Sequence, residues 1–503
     1  MRFLNFLKLF LIIIISGITT QVLTGCASLG PKTGIDSIGS YPDSVGEIKK
    51  NIETSSFKKA VQESQDLNSG SDSQLSGLEL GRTYQLSGDY LKSQTAYDQV
   101  LAQVRINQAQ AKIEVGRLLA QTGSLLVNPQ LVPYRLAPYE VVYLLGYEAL
   151  DQIALNNPSN ALVYLRQAYE EQEFIQSNQA KELAEADKKS QEKSLSFNFN
   201  PADHPKEFSA TLNAASHIKN GFENAWVYYL TALTYFSQGD QNNAFVAIKK
   251  ALELAPDNPA VRNLLINILI KRGGDLTQLH QYLANFGLNN SPNNLPTIPK
   301  DSGLVVVLYE QDWVPAMSSV SIPLPIGWGG SRPQMQWLSL PVYSSPDLSI
   351  SPLMITQNNG KNNSTFQTGQ TSNLMNVYDL AAKNLMDRYP IIVVQAVLSV
   401  IAKAAVTAGL ADSQSSSSVA GLIALAGSVY GALTSNADCR SWLTLPANEQ
   451  VWQAYLPNGS QVLNLSNNGH NTAVNLLVRS SKVNLIWVVQ AGNLMQAHVF
   501  ELS

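Results

Sequence analysis

Charge is scarce in this chain. Lys, Arg, Asp and Glu together make up 14% of its 503 residues, against about 25% in an average globular protein. The net charge is −4 and no basic patch stands out. Nucleic acid is therefore not expected as a partner, because tracking phosphates needs clustered Lys and Arg. Cysteine is nearly missing: Cys26 and Cys439 are the two present, too few for a cysteine-rich zinc site. Five histidines occur, His204, His217, His280, His470 and His498. None falls in an HExxH or a paired i, i+4 arrangement, so the sequence offers no metal site. There is no G-x-S-x-G elbow and no P-loop. These absences predict a protein that is not an enzyme and that has no cofactor, metal or catalytic residues.

Four near misses deserve a reading. Ser55-Ser56-Phe57-Lys58 fits S-x-x-K and Lys32-Thr33-Gly34 fits K-T-G, but they stand in the reverse of the order found in penicillin-binding enzymes. Gly327 to Arg332, a Gly-rich stretch with Trp328, has backbone N–H groups for an anion but no helix after it, and reads as a loop. Glu310 and Asp312 could pair at a strand end, with no substrate identified for them. In Asp438-Cys439-Arg440 the arginine could lower the thiol pKa; without a nearby His, the residue is expected to be a buried structural cysteine.

The N-terminus is more informative. Arg2 and Lys8 precede an apolar run, Leu9 to Ile15, too short for the roughly 20 residues of a membrane span and suited to an export signal. Leu23-Thr24-Gly25-Cys26 then resembles the lipobox of bacterial lipoproteins. That resemblance implies removal of residues 1–25 and acylation of Cys26, where each buried CH₂ adds about 0.8 kcal/mol of membrane affinity. Ala27 stands where an aspartate would retain the protein in the inner membrane, so by analogy with enteric lipoproteins the expected place is the outer membrane, facing the periplasm.

The rest of the chain divides by pattern. Residues 26–45 are rich in Gly, Ser and Pro and read as a flexible tether. Residues 46–290 are helical and partly repeated. Leu80-Gly81, Tyr84, Gly88-Asp89-Tyr90 and Tyr97 match the tetratricopeptide (TPR) pattern, and Ala232, Tyr235, Gly239-Asp240, Ala244, Ala251 and Pro256 repeat it at the same spacing. Small residues let the two helices approach, and glycine supplies the positive φ of the turn. A degenerate copy spans Leu144 to Tyr169. Gln172 to Lys193 reads as a solvated helical extension, Ser194 to Phe222 as a loop across the mouth of the superhelix, and Arg262 to Ile270 as a capping helix.

Residues 300–503 change character. Gly303 to Tyr309, Val320 to Pro325 and Met335 to Pro341 are expected strands, and Ser344 to Thr371 a polar loop. Helices follow over Val377 to Met386 and Ile391 to Leu410, the second entered through Pro390. Strands return from Val451 onward, with Pro457-Asn458-Gly459 as a hairpin turn. The fold class is therefore α+β: a TPR-like repeat domain, then a mixed α+β domain with a β-sandwich or curved sheet covered by helices. The apolar pair at 391–433, whose second arm is Val419 to Leu433, is read as that cover. The competing reading is a membrane hairpin with a GxxxG contact at Gly427 to Gly431, which Gln395 and Lys403 make costly.

Taken together, the chain resembles a family of TPR-containing bacterial lipoproteins of the cell envelope, members of which are encoded beside penicillin-binding-protein activator lipoproteins. The resemblance rests on Gly303 to Pro315, Asn384 to Pro390, Ala437-Asp438-Cys439-Arg440-Ser441-Trp442 with Leu445-Pro446, and the repeat from Gly239 to Pro256. A basic pair expected after the middle repeat is here Arg166-Gln167, and a glycine expected near position 312 is replaced by Asp312. The family implies location and architecture, not a reaction. The function expected is a membrane-anchored scaffold or adaptor that holds envelope proteins in its TPR groove. The alternative is a structural subunit of an envelope secretion or fibre-export machine, with a cell-wall enzyme a third reading.

Overall fold

The computed structural model describes residues 41–67, 72–113, 133–273, 276–288, 295–327, 332–345, 348–359, 364–412 and 437–502. Cys26, the stretch read as an export signal and most of the stretch read as a tether lie outside them, as do Lys32 to Gly34 and Val419 to Leu433. The helices are α1 (Tyr41–Glu53), α2 (Phe57–Asp66), α3 (Ser73–Leu86), α4 (Tyr90–Ile113), α5 (Pro138–Ala154), α6 (Pro158–Glu192), α7 (Pro205–Ser216), α8 (Ala225–Ser237), α9 (Gln241–Leu254), α10 (Pro259–Arg272), α11 (Thr277–Asn285) and α12 (Val377–Asp412). Helix α1 starts inside the segment read as tether.

Five helical hairpins run α1–α2, α3–α4, α5–α6, α8–α9 and α10–α11, and the turns explain why the chain folds back each time. At Gly88 and Gly239 φ is +83° and +81°. The following Asp89 and Asp240 N–H groups then reach back to the carbonyls of Tyr84 and Tyr235, each at 3.0 Å, closing a Schellman turn. In the degenerate repeat Asn156 takes the same left-handed place with φ 59°, and Asn157 N–H reaches Gln152 O at 2.8 Å. Asp240 also caps α9, accepting from Asn243 N–H at 3.0 Å. In the three middle hairpins the first helix (α3, α5, α8) is buried on most sides, and the second buries only a stripe, such as Ala244, Ala247, Ile248 and Ala251 on α9. The second helices are thus the outer layer. Helix α10 is not the end of the stack, since α11 packs beyond it. The stretch read as a loop over Ser194 to Phe222 contains α7, whose Thr211 hydroxyl donates to Tyr343 O at 3.1 Å.

What covers the inner layer is a sheet. Strands β1 (Ser302–Trp313), β6 (Ser372–Asn376), β7 (Pro446–Pro457), β10 (Val483–Ala491) and β11 (Leu494–Leu502) form one sheet in the order β11-β10-β1-β7-β6. Strand β1 is parallel to β10 and antiparallel to β7. Its apolar run has a simple cause: both faces are buried. Leu304, Val306 and Leu308 join the core shared with the helices, and Val305, Val307 and Tyr309 join a second core. Each such Leu or Val contributes about 1.5–3 kcal/mol on burial. The second core lies against a sheet of β4 (Met354–Asn359), β5 (Ser364–Gln370), β8 (Gly459–Asn467) and β9 (His470–Val478), ordered β5-β4-β8-β9. The expected sandwich is present, and the helices that cover it are the inner helices of the repeats.

Three expectations change here. The polar stretch read as a loop holds β4 and β5. Pro457 to Gly459 is not a hairpin turn, because β7 and β8 belong to different sheets; it carries the chain between them. Pro390 does not open a new helix but sits inside α12. By length and composition Val377–Ile401 could cross a membrane, but its described side chains are two-faced. Val393, Val394 and Val397 are buried, and Arg388 and Gln395 are exposed. The buried face packs on α7 and on β3 (Gln334–Tyr343), which pairs with β2 (Met317–Ile326) as a separate two-stranded ribbon. That agrees with a covering helix for the first arm of the apolar pair.

Candidate interaction site

The inner helices carry polar side chains where a core would normally be apolar, and these side chains define the site. Helix α3 brings Glu79, Arg82 and Gln85 to one face, and α5 brings Glu140, Tyr143 and Tyr147, all at helical three- or four-residue steps. Glu79, Arg82 and Glu140 are each 0% exposed. They face residues 437–445 and strands β1 and β7 of the same chain. The groove expected to receive a partner is filled by its own C-terminal half.

The contact resembles the way a groove reads a peptide backbone. Glu140 accepts from Trp442 N–H at 2.7 Å with one oxygen. Its other oxygen accepts from Tyr134 Oη and Ala137 N–H, both at 2.8 Å. Glu79 accepts from Leu443 N–H at 2.9 Å, from Tyr41 Oη at 2.8 Å and from the Thr444 hydroxyl. Arg82 donates from Nε to Thr444 O at 3.3 Å. Three consecutive residues are thus held through their main chain by two carboxylates and one guanidinium. The Trp442 ring fills the space between, edge-on to Tyr97 at 5.9 Å and Tyr147 at 5.7 Å.

Beyond this segment, the inner face locks onto the sheet. Arg82 forms a fully buried ion pair with Glu310 and donates to Gln85 Oε1 at 2.7 Å. Its guanidinium lies 4.3 Å from the Tyr147 ring centre, and Trp487 Nε1 donates to the other Glu310 oxygen at 3.0 Å. Tyr143 Oη donates to Glu449 at 2.7 Å, and Tyr229 Oη of α8 to Gln453 at 2.6 Å. Asn258, the cap of α10, donates to Asn373 O of β6 at 2.7 Å. Burial raises the carboxyl pKa values along the seam: Glu140 to about 7 and Asp151 to about 8. Glu449 is pushed up by burial and then by the neighbouring Glu310.

The other candidate residues are separated. Glu310 points into the seam, and Asp312 stands apart at φ 55°, a left-handed backbone in which glycine is unstrained. That is where the lipoprotein family led us to expect a glycine. Cys439 is half-buried, and burial followed by Asp438 lifts its thiol to about 12, away from reactivity. Arg440 pairs instead with Asp438 at 2.8 Å and with Asp72. Ser55 lies in the α1–α2 turn with φ 57°. Gly327 bridges to Ser196, and Trp328 to Ser331 lie outside the described residues. His217 Nδ1 lies 3.1 Å from Asp379 at a cleft of about 230 Å³ that Asn213, Ser345 and Asn376 help to line. His498 meets Tyr90 Oη at 2.7 Å. Among the described residues, no group of three or more His, Cys, Asp or Glu could hold a metal. The seam was missed in the sequence, although lone charges among apolar neighbours, such as Glu310 after Val305 to Tyr309, signalled it.

The comparisons agree with the geometry where they speak. The tetratricopeptide repeat pattern matches residues 227–258, which are α8, the Gly239 turn and α9. No curated protein and no solved structure matches the chain. The chain therefore contains a TPR repeat, a module whose usual work is binding protein.

Proposed function

We propose that this chain is a lipid-anchored scaffold of the bacterial envelope, acylated at Cys26, held at the outer membrane and facing the periplasm. The reading assigns it no reaction and no cofactor. The observation that carries the scaffold reading is the helical stack with its TPR repeat, whose inner face is covered by residues 437–445 and the sheet, which leaves its outer face for partners. On that face Val163 of α6 and Val246 of α9 are 42% and 52% exposed.

Photo-crosslinkers at Val163 and Val246 are expected to capture envelope proteins from intact cells, and one at Tyr229 to capture none. Capture at Tyr229 would mean that the seam opens to a partner. Replacing Cys26 with Ser is expected to leave a soluble or unprocessed protein. If Cys26→Ser yields a mature species that still requires detergent, the anchor is wrongly assigned.

A further inference from the structure

The two faces of the ribbon β2–β3 differ sharply. Ile322, Leu324, Ile326, Leu338 and Leu340 are buried on the inner face. On the outer face Pro323 pairs across from Trp337 and Pro325 from Met335. Both prolines are exposed, Trp337 is 59% exposed and Met335 62%. A tryptophan so open to water presents a large apolar surface with one polar N–H. Two prolines on an edge strand lack N–H donors, which disfavours strand addition by another protein.

Charge narrows the occupant. Residues 313–346 contain no Asp, Glu or Lys, and their one charge is Arg332, which is exposed just ahead of β3. A segment with no acid and one arginine brings no negative charge of its own against anionic headgroups, and tryptophan favours the boundary between headgroups and acyl chains. We propose that the outer face of the β2–β3 ribbon, through Pro323, Pro325, Met335 and Trp337, rests on the lipid bilayer. The proposal relies on the anchor at Cys26. A lipid anchor holds the whole protein at high effective concentration beside the bilayer, where a weak contact suffices.

The test uses the full lipidated protein in vesicles of phosphatidylethanolamine and phosphatidylglycerol with brominated acyl chains. Bromine quenches tryptophan only at contact depth; Trp226, Trp442, Trp452 and Trp487 are buried in the fold, and Trp313 and Trp328 are replaced by Phe in every protein compared. With Trp337 in place, fluorescence is expected to be quenched in part, and Trp337→Phe to remove most of that quenching. Equal quenching of the two proteins, or none in either, overturns the proposal, as does a co-purifying protein that shields Trp337 from aqueous acrylamide. Flotation of Cys26→Ser separates the two readings: release from vesicles supports the anchor whatever the ribbon does. Flotation that persists in Cys26→Ser and is lost in the Met335→Glu, Trp337→Glu double variant supports the ribbon alone.

Discussion

Glu310 and Arg82 are 228 residues apart in sequence, yet they form an ion pair with both side chains fully buried. Removing one partner leaves an uncompensated buried charge, so Arg82→Met is expected to destabilise the fold by about 3–5 kcal/mol in urea titration. The double variant Arg82→Met, Glu310→Leu should recover most of that loss. If the single variant is as stable as the native protein, the pair does not hold the seam. Asp312 makes the opposite point. At φ 55° Asp312→Gly relieves left-handed strain, with an expected gain of about 1 kcal/mol; a lower midpoint would show that its carboxylate has a role. Residue chemistry was legible only to the extent that Glu310 looked out of place. Its partner was not, because periodicity carries no information about contacts so distant in sequence.

Helices were legible where local rules act alone. Gly81 was expected at a helix crossing, and a Cβ there would lie 2.3 Å from Tyr97 Cε1. Gly81→Ala is therefore expected to cost about 1–3 kcal/mol by overpacking, measured as a fall in melting temperature. An unchanged melt would remove the close crossing from the argument. The elements that were missed are those whose cause is not local. Strands β4 and β5 read Met-Ile-Thr-Gln-Asn-Asn and Ser-Thr-Phe-Gln-Thr-Gly-Gln, with too little alternation to signal a buried face. Pro390 usually ends a helix, because it cannot donate to the carbonyl four residues back. Here the packing of Leu385, Tyr389 and Val393 carries α12 through it.

At the scale of the whole molecule, acid and alkali should attack different parts of the seam. A carboxyl whose pKa is higher in the folded chain contributes stability that is complete below its unfolded value. That contribution is lost as pH rises through the folded value, about 7 for Glu140 and about 8 for Asp151. His498, lowered to about 4 by burial and then by Arg82, works in the other sense: its contribution is present above about 6.5 and is lost as pH falls toward 4. The melting temperature is expected to decline from about pH 6 to about pH 9, and Asp151→Asn to make that decline shallower. A native melting temperature that rises across this range contradicts the assignment.

The pairing of β1 with β10 sets an order of events for the newborn chain. Residues 41–285 are made well before β7, β10 and β11, three of the five strands of the covering sheet, so the inner helices spend that interval with Tyr143, Trp226 and their neighbours incompletely shielded. A nascent chain stopped at residue 436 carries every repeat but lacks the segment that seals them. Such a fragment is expected to bind general chaperones and to be cut by proteases that spare the finished protein; a stable, protease-resistant fragment 41–436 would show that the repeats do not depend on their cover. Synthesis of the final residues, rather than of the repeats, is then the moment at which this chain first becomes safe from aggregation.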